Sequence, residues 1–308
     1  MNEELKKKVE TAVTRLQMYE PPEGYRLAFS GGKDSIVIKR LADIARVKYE
    51  AHYNVTSVDP PELVHFIKEK HPDVVFDIPK YKDGRQITMW SLIRTNGLPT
   101  RIQRFCCEKL KEDFSIGHMT ITGVRWAESP NRAVNQGRVT IMKANKLLPK
   151  DDPNFAKTPR GGVVLVNDND ESRKIIEQCY QKGRVSVNPI VEWSDKDVWD
   201  FIRGQSIPYC SLYECGYSRL GCIGCPMAKR KGRLKEFARY PKYALLYRRA
   251  IGRWIDHCIE KRGEEWRTNN TLGLGTVDEW WHWWLQDRPI GQEVLPGFDD
   301  FEEDNDAD

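Results

Sequence analysis

The sequence contains no apolar run approaching the roughly eighteen residues that read as a membrane-spanning helix, and its first ten residues form a charged helical pattern rather than a basic flank ahead of an apolar stretch. Neither a membrane span nor a signal peptide is expected, which points to the cytoplasm. Glycine and proline, at 22 and 17 of 308 residues, are near average usage, so collagen-like and low-complexity chains are excluded. There is no cysteine after Cys258 and no basic residue among the last ten positions. What is there, 40% hydrophobic and 31% charged, is the composition of a globular chain long enough for about two domains.

Charge is unevenly placed. The last ten residues hold seven acids, so the net charge of +4 conceals a body at +11. Within that body, residues 229–253 carry ten bases against Glu236 alone, a surface that attracts anions. The eight cysteines of a chain in a reducing compartment point to metal or catalytic roles rather than disulfides. Cys106 and Cys107 are adjacent, and Cys210, Cys215, Cys222 and Cys225 fall within sixteen residues, whereas Cys179 and Cys258 stand alone and suit small buried thiols.

Strand-like apolar runs at 25–29, 48–55, 74–77, 118–122 and 185–189 alternate with helical patterns starting near 34, 60, 89, 106 and 195. Asp59, Pro60, Pro61 and Glu62 supply the N-cap acid, first-turn proline and following Glu that open a helix. The alternation predicts an α/β fold, a doubly wound, mostly parallel sheet. Residues 133–170, rich in Gly, Pro, Asn and Asp, interrupt the rhythm as an excursion on that sheet. The expected organisation is an N-terminal helix over 1–24, the sheet domain over 25–228, a basic helical subdomain over 229–298 and a disordered acidic tail over 299–308.

Ser30, Gly31, Gly32, Lys33, Asp34 and Ser35 lie between the first strand and its helix, where open α/β sheets bind ligands. Two glycines admit close approach of an anion, the helix start offers unpaired N–H groups, and the serines add hydroxyls, so the loop suits a pyrophosphate. Lys33 is expected to neutralise phosphate charge and Asp34 to hold or orient Mg2+. Thr122, Gly123 and Arg125 follow a central strand on the same rim, where a guanidinium forks onto phosphate or sulfate; an ion pair of Arg125 and Arg132 with Glu128 is the competing role. Cys222 and Cys225 flank a tight turn, and Cys107 with one or more of Cys106, Cys210 and Cys215 completes four thiolates for an iron–sulfur cluster or zinc.

The loop resembles that of the PP-loop ATP pyrophosphatases, the adenine-nucleotide alpha hydrolase superfamily. Four further groups occur in order: Asn54-Val55-Thr56 with Asp59 to Glu62; Arg104 to Cys107 with Lys109 and Lys111; Thr122 to Arg125 with Glu128, Ser129 and Arg132; and Asn188-Pro189-Ile190 with Trp193, Asp197 and Trp199. With Gly216-Tyr217 and Gly221 to Pro226, they resemble the phosphoadenylylsulfate (PAPS) reductase family over about residues 25–226. The resemblance implies nucleotide contacts from residues 30–35, Asn54, Thr122, Gly123 and Arg125, with Lys33, Asp34 and Arg125 catalytic. It also implies an iron–sulfur cluster, for which Cys107, Cys210, Cys222 and Cys225 are the expected ligands, Cys106 and Cys215 standing in reserve.

Two departures shape the functional expectation. True reductases of the family carry a C-terminal Glu-Cys-Gly nucleophile, and here the only such triplet is the internal Glu214-Cys215-Gly216. The Lys33-Asp34 pair is closer to the ATP-cleaving members. The leading reading is an enzyme that cleaves ATP or an adenylyl nucleotide between the α and β phosphates and couples this to sulfur transfer or redox chemistry, with a sulfur or electron donor protein as partner. The alternatives are a PAPS or adenylylsulfate reductase using an internal cysteine, and a nucleic-acid-binding protein whose basic segment and Trp280, Trp281, Trp283 and Trp284 contact phosphates and bases.

Overall fold

The structure is a computed structural model that describes residues 2–112, 114, 117–142, 152–180 and 183–286; the acidic tail lies outside them. The chain forms two compact units, Met1–Thr88 with Phe105–Cys222, and Met89–Arg104 with Ile223–Asp308.

The first unit is built on one sheet: β1 (Tyr25–Ala28), β2 (Tyr49–Asn54), β3 (Val75–Asp77), β4 (Met119–Ile121), β5 (Val139–Met142), β6 (Phe155–Lys157), β7 (Val163–Leu165) and β8 (Arg184–Val187). The order is β3-β2-β1-β4-β8-β5-β7-β6, with the first five strands parallel and the last three antiparallel. The 133–170 excursion thus extends the sheet edge. Successive strand residues alternate faces, and Tyr25, Leu27, Ala51, Tyr53, Met119, Ile121, Val185 and Val187 join one apolar cluster with helices α1 (Glu3–Met18) and α2 (Lys33–Ala45). Helix α1 starts where Asn2 accepts from Leu5 N at 2.8 Å; α2 presents Ile36, Val37, Ile38, Leu41, Ala42 and Ala45 to the core and stops at Arg46, in the left-handed region at φ 56°. Helix α3 (Pro61–Lys70) begins with proline in its first turn, but Pro60 is the cap residue, because the Asp59 carboxylate turns back to accept from Thr56 N at 3.0 Å.

The second unit is helical, with Met89–Asn96, Arg230–Arg239, Pro241–Arg262, Trp266–Asn269 and Val277–Leu285. Thr276 caps the last of these reciprocally with Glu279. Trp254 lies where a Cβ on Gly97 would be 3.0 Å away, and Trp284 Nε1 donates to Pro99 O at 2.8 Å, so a segment from mid-chain is held by the C-terminal helices. No helix among the described residues is long and apolar enough to cross a membrane.

Candidate active site

Strand β1 has β2 on one side and β4 on the other, so the order of the parallel strands reverses between β1 and β4, the position at which open α/β sheets bind ligands. Residues 30–35 leave the carboxyl end of β1 there. Gly31 has φ +71°, and a Cβ on it would lie 2.7 Å from Leu63 and 2.8 Å from Ile67 of α3, so both conformation and space demand glycine. Gly32 is the cap of α2 and contributes no side chain, leaving the amino end of the helix to outside acceptors. Ser35 Oγ donates to Gly32 O at 2.9 Å and lies 3.3 Å from Ser30 Oγ, which also accepts from Gly32 N at 3.4 Å.

Beneath the loop, Arg125 is almost wholly buried. Its Nε donates to Asp34 Oδ1 at 2.7 Å, its Nη2 to Asp195 Oδ1 at 2.6 Å and its Nη1 to Trp193 O at 3.3 Å. Asp195 also receives Lys33 Nζ at 3.3 Å, and that ammonium donates to Ser218 O at 3.0 Å. Burial raises the Asp34 carboxyl above its usual range against the opposing charges of Arg125 and Lys33. At Asp195 burial pushes upward too, but the Arg125 hydrogen bond and the charges of Lys33 and Arg125 prevail and lower it.

Arg125, read from sequence as an anion holder, here donates to two carboxylates and a carbonyl. Glu128 forms its side-chain ion pair with Arg132 and accepts only the backbone N–H of Arg125, at 3.1 Å. Gly123 passes so close to α2 that a Cβ would lie 3.0 Å from Asp34 Cβ. Thr122 Oγ1 bonds Asn188 Oδ1 at 2.5 Å. Asn54, at the end of β2, donates to Lys111 O at 3.0 Å and keeps a buried Oδ1 with no hydrogen-bond partner among the described residues. Asp195, read from sequence only as a helix start, and Tyr213, which accepts from Lys33 N at 2.7 Å, are site residues that sequence reasoning missed. Tyr213 sits in a turn with no local signal for that contact.

The described residues contain no group of three or more Cys, His, Asp or Glu side chains that could hold a metal ion, the role read from sequence for the cysteine set as ligands of a cluster or zinc. Cys210 is 1% exposed and belongs to the apolar core of the first unit. In the first unit Lys111 interacts with Cys222 and Cys107; the charge of Cys222 foremost, against burial and with help from Asp59 and Cys107, holds its ammonium above the usual lysine range. Cys222 Sγ lies 3.5 Å from Thr56 Oγ1. Cys179 and Cys258 are buried thiols as expected, and none of the eight cysteines forms a disulfide.

In the helical unit, Trp280, Trp281 and Trp284 are buried. Trp284 packs on Tyr247 at 4.8 Å and Trp280 on Trp254 at 4.7 Å, so these rings are core and not base-stacking platforms.

The sequence matches the phosphoadenosine phosphosulfate reductase domain over residues 24–228. It is 26% identical over 229 residues to protein MJ0066 of Methanocaldococcus jannaschii, covering 70% of this chain and 39% of that one. It is also 28% identical over 110 residues to an adenosine 5'-phosphosulfate reductase of Bacillus anthracis, covering 35% and 45%. The chain thus spans less than half the length of these curated relatives. Among solved structures, PAPS reductase from Candida auris in a phosphate complex aligns with a TM-score of 0.40 and 14% identity over 72% of this chain and 96% of that one. With more than half of its residues inside the domain match, this chain belongs to the PAPS reductase family of the PP-loop superfamily.

Proposed function

We propose that this protein binds ATP or a closely related adenylyl nucleotide on residues 30–35, cleaves it between the α and β phosphates, and couples the cleavage to sulfur chemistry with a separate sulfur or electron donor. The observation that carries the reading is the Gly31-Gly32 loop, whose Gly31 has a conformation only glycine fills, opening α2 at the β1/β4 reversal. The first-turn amides and Ser30 and Ser35 would hold the pyrophosphate oxygens, and the partial positive charge of the helix start would favour the leaving anion.

Magnesium fits this donor set: Asp34 places Oδ1 on Arg125, leaving its other oxygen for an ion bound mainly through phosphate and water oxygens. Bound there, the ion would neutralise charge developing on the leaving group. Arg125 keeps the carboxylate aimed, and Lys33, now on Asp195 and Ser218 O, lies within the same charged group. No step is routed through the expected four-cysteine iron–sulfur or zinc site, because the described residues hold no group of three or more side chains that could bind the metal.

The test is pyrophosphate release from ATP by the full chain with magnesium. Turnover of phosphoadenylylsulfate or adenylylsulfate with a thiol donor, and none of ATP, would overturn the reading in favour of a reductase using an internal thiol. The exposed Cys215 of Glu214-Cys215-Gly216 is the observation that favours this second reading.

A further inference from the structure

The amino end of α2 already has an acceptor. Tyr213 Oη takes the Lys33 N–H at 2.7 Å, and a Cβ on Gly32 would stand 3.4 Å from the same oxygen. A phosphate oxygen bound by this first-turn amide needs the position that the phenol oxygen occupies. The Lys33 ammonium, 6.0 Å from the Tyr213 ring centre, is directed to Ser218 O and Asp195. Tyr213 ends the short turn Ser211–Tyr213, and its ring stands edge-on to Trp199 at 5.1 Å and to Tyr209 at 6.4 Å. The turn is tied internally by Tyr213 N to Cys210 O at 3.2 Å, Glu214 N to Ser211 O at 3.0 Å and Cys215 N to Leu212 O at 3.1 Å. Burial foremost, with the neighbouring charges of Asp34, Cys210 and Asp195, raises the phenol above its usual range despite the Lys33 N–H, so it stays a neutral hydroxyl.

We propose that Tyr213 is a positioning residue that latches the nucleotide loop: its hydroxyl mimics a phosphate oxygen at Lys33 N, and nucleotide binding displaces it together with the turn leading to Glu214, Cys215 and Gly216. This rests on the nucleotide reading of residues 30–35 and adds to it a moving part, which links occupancy of the loop to the placement of an exposed thiol two residues from the latch. The chemistry is an exchange of one acceptor for another, with no covalent step.

The experiment compares the full-length protein with its Tyr213→Phe variant, which keeps the ring and its aromatic contacts and removes only the oxygen. Calorimetric titration with inorganic pyrophosphate and magnesium is expected to show roughly threefold to tenfold tighter binding by the variant, the competition of one hydrogen bond being removed. Hydrogen exchange over residues 211–217 is expected to rise when the wild-type protein binds pyrophosphate and to rise less in the variant. Weaker binding by Tyr213→Phe would make the phenol a ligand contact and overturn the latch, as would equal affinity. If neither protein binds pyrophosphate or magnesium-ATP, the nucleotide reading itself fails and the latch with it; binding by the wild type without the predicted gain leaves that reading standing and removes the latch alone.

Discussion

Arg125 and Asp34 are joined by a 2.7 Å Nε–Oδ1 bond under the nucleotide loop, and the same guanidinium holds Asp195 at 2.6 Å. One buried cation thus fixes a carboxylate at the start of α2 and another at the start of the Asp195–Gly204 helix. Replacing Arg125 with Met leaves both acids without it, and removing one partner of a buried pair typically costs about 3–5 kcal/mol. Because Asp195 is largely exposed, a loss near the lower end, about 3 kcal/mol, is expected. Urea unfolding measures it. Arg125→Lys, which keeps charge without the planar fork, should fall between the two; a Met variant as stable as wild type would contradict the arrangement.

Gly31 gives a second expectation. Alanine there must adopt φ +71° and place its Cβ within 2.8 Å of Leu63 and Ile67. Left-handed backbone strain and overpacking together imply a loss of about 2–4 kcal/mol. Pyrophosphate binding should fall with it, because relieving the clash moves the loop or α3. Gly161, also at positive φ but with nothing within 4 Å of a built Cβ, provides the control: alanine there meets backbone strain alone and leaves pyrophosphate affinity unchanged.

The parallel half of the sheet was legible because four of its five strands, β4 excepted, are short apolar runs followed by a helical pattern. The antiparallel edge was not: no helical pattern separates β5, β6 and β7, and turn-forming residues surround them. Within the site, local sequence marks Gly31, Gly32 and Gly123, whose roles follow from backbone shape. It cannot mark Asp195 or Tyr213, whose roles arise only when a helix start and a turn some 160 to 180 positions downstream fold against α2. The tryptophan-rich helix was ambiguous for a related reason. Val277–Leu285 carries four Trp residues, and burial of Trp280, Trp281 and Trp284 beside Trp254 and Tyr247 depends on neighbours its own pattern does not reveal.

Cys210 separates a ligand from a packing residue. It is 1% exposed among core side chains, so Cys210→Ala should lower stability by about 1 kcal/mol, roughly the transfer value of a small buried apolar group. Any iron or zinc that co-purifies under anaerobic conditions should be unchanged in amount. A variant of wild-type stability that has lost stoichiometric metal would return Cys210 to the ligand set.

The last prediction concerns pH. Arg15 of α1 donates to Glu192 through two nitrogens at 3.0 Å and also to Pro189 O at 2.9 Å, tying α1 to the chain beyond β8. Burial pushes the Glu192 carboxyl up, but the Arg15 hydrogen bond and charge and the Arg138 hydrogen bond outweigh it and hold the group below the ordinary glutamate range. A carboxyl depressed on folding stabilises the protein above its unfolded pKa, about 4.3 for glutamate, and the contribution disappears as pH falls through the lower folded value. Glu192→Gln should therefore be less stable than wild type at neutral pH, by about 1 kcal/mol for this partly exposed pair, and the two urea midpoints should converge as the medium is acidified below the unfolded glutamate value. A gap that stays constant across that range would assign the effect to lost packing or hydrogen bonding and not to the charge on Glu192.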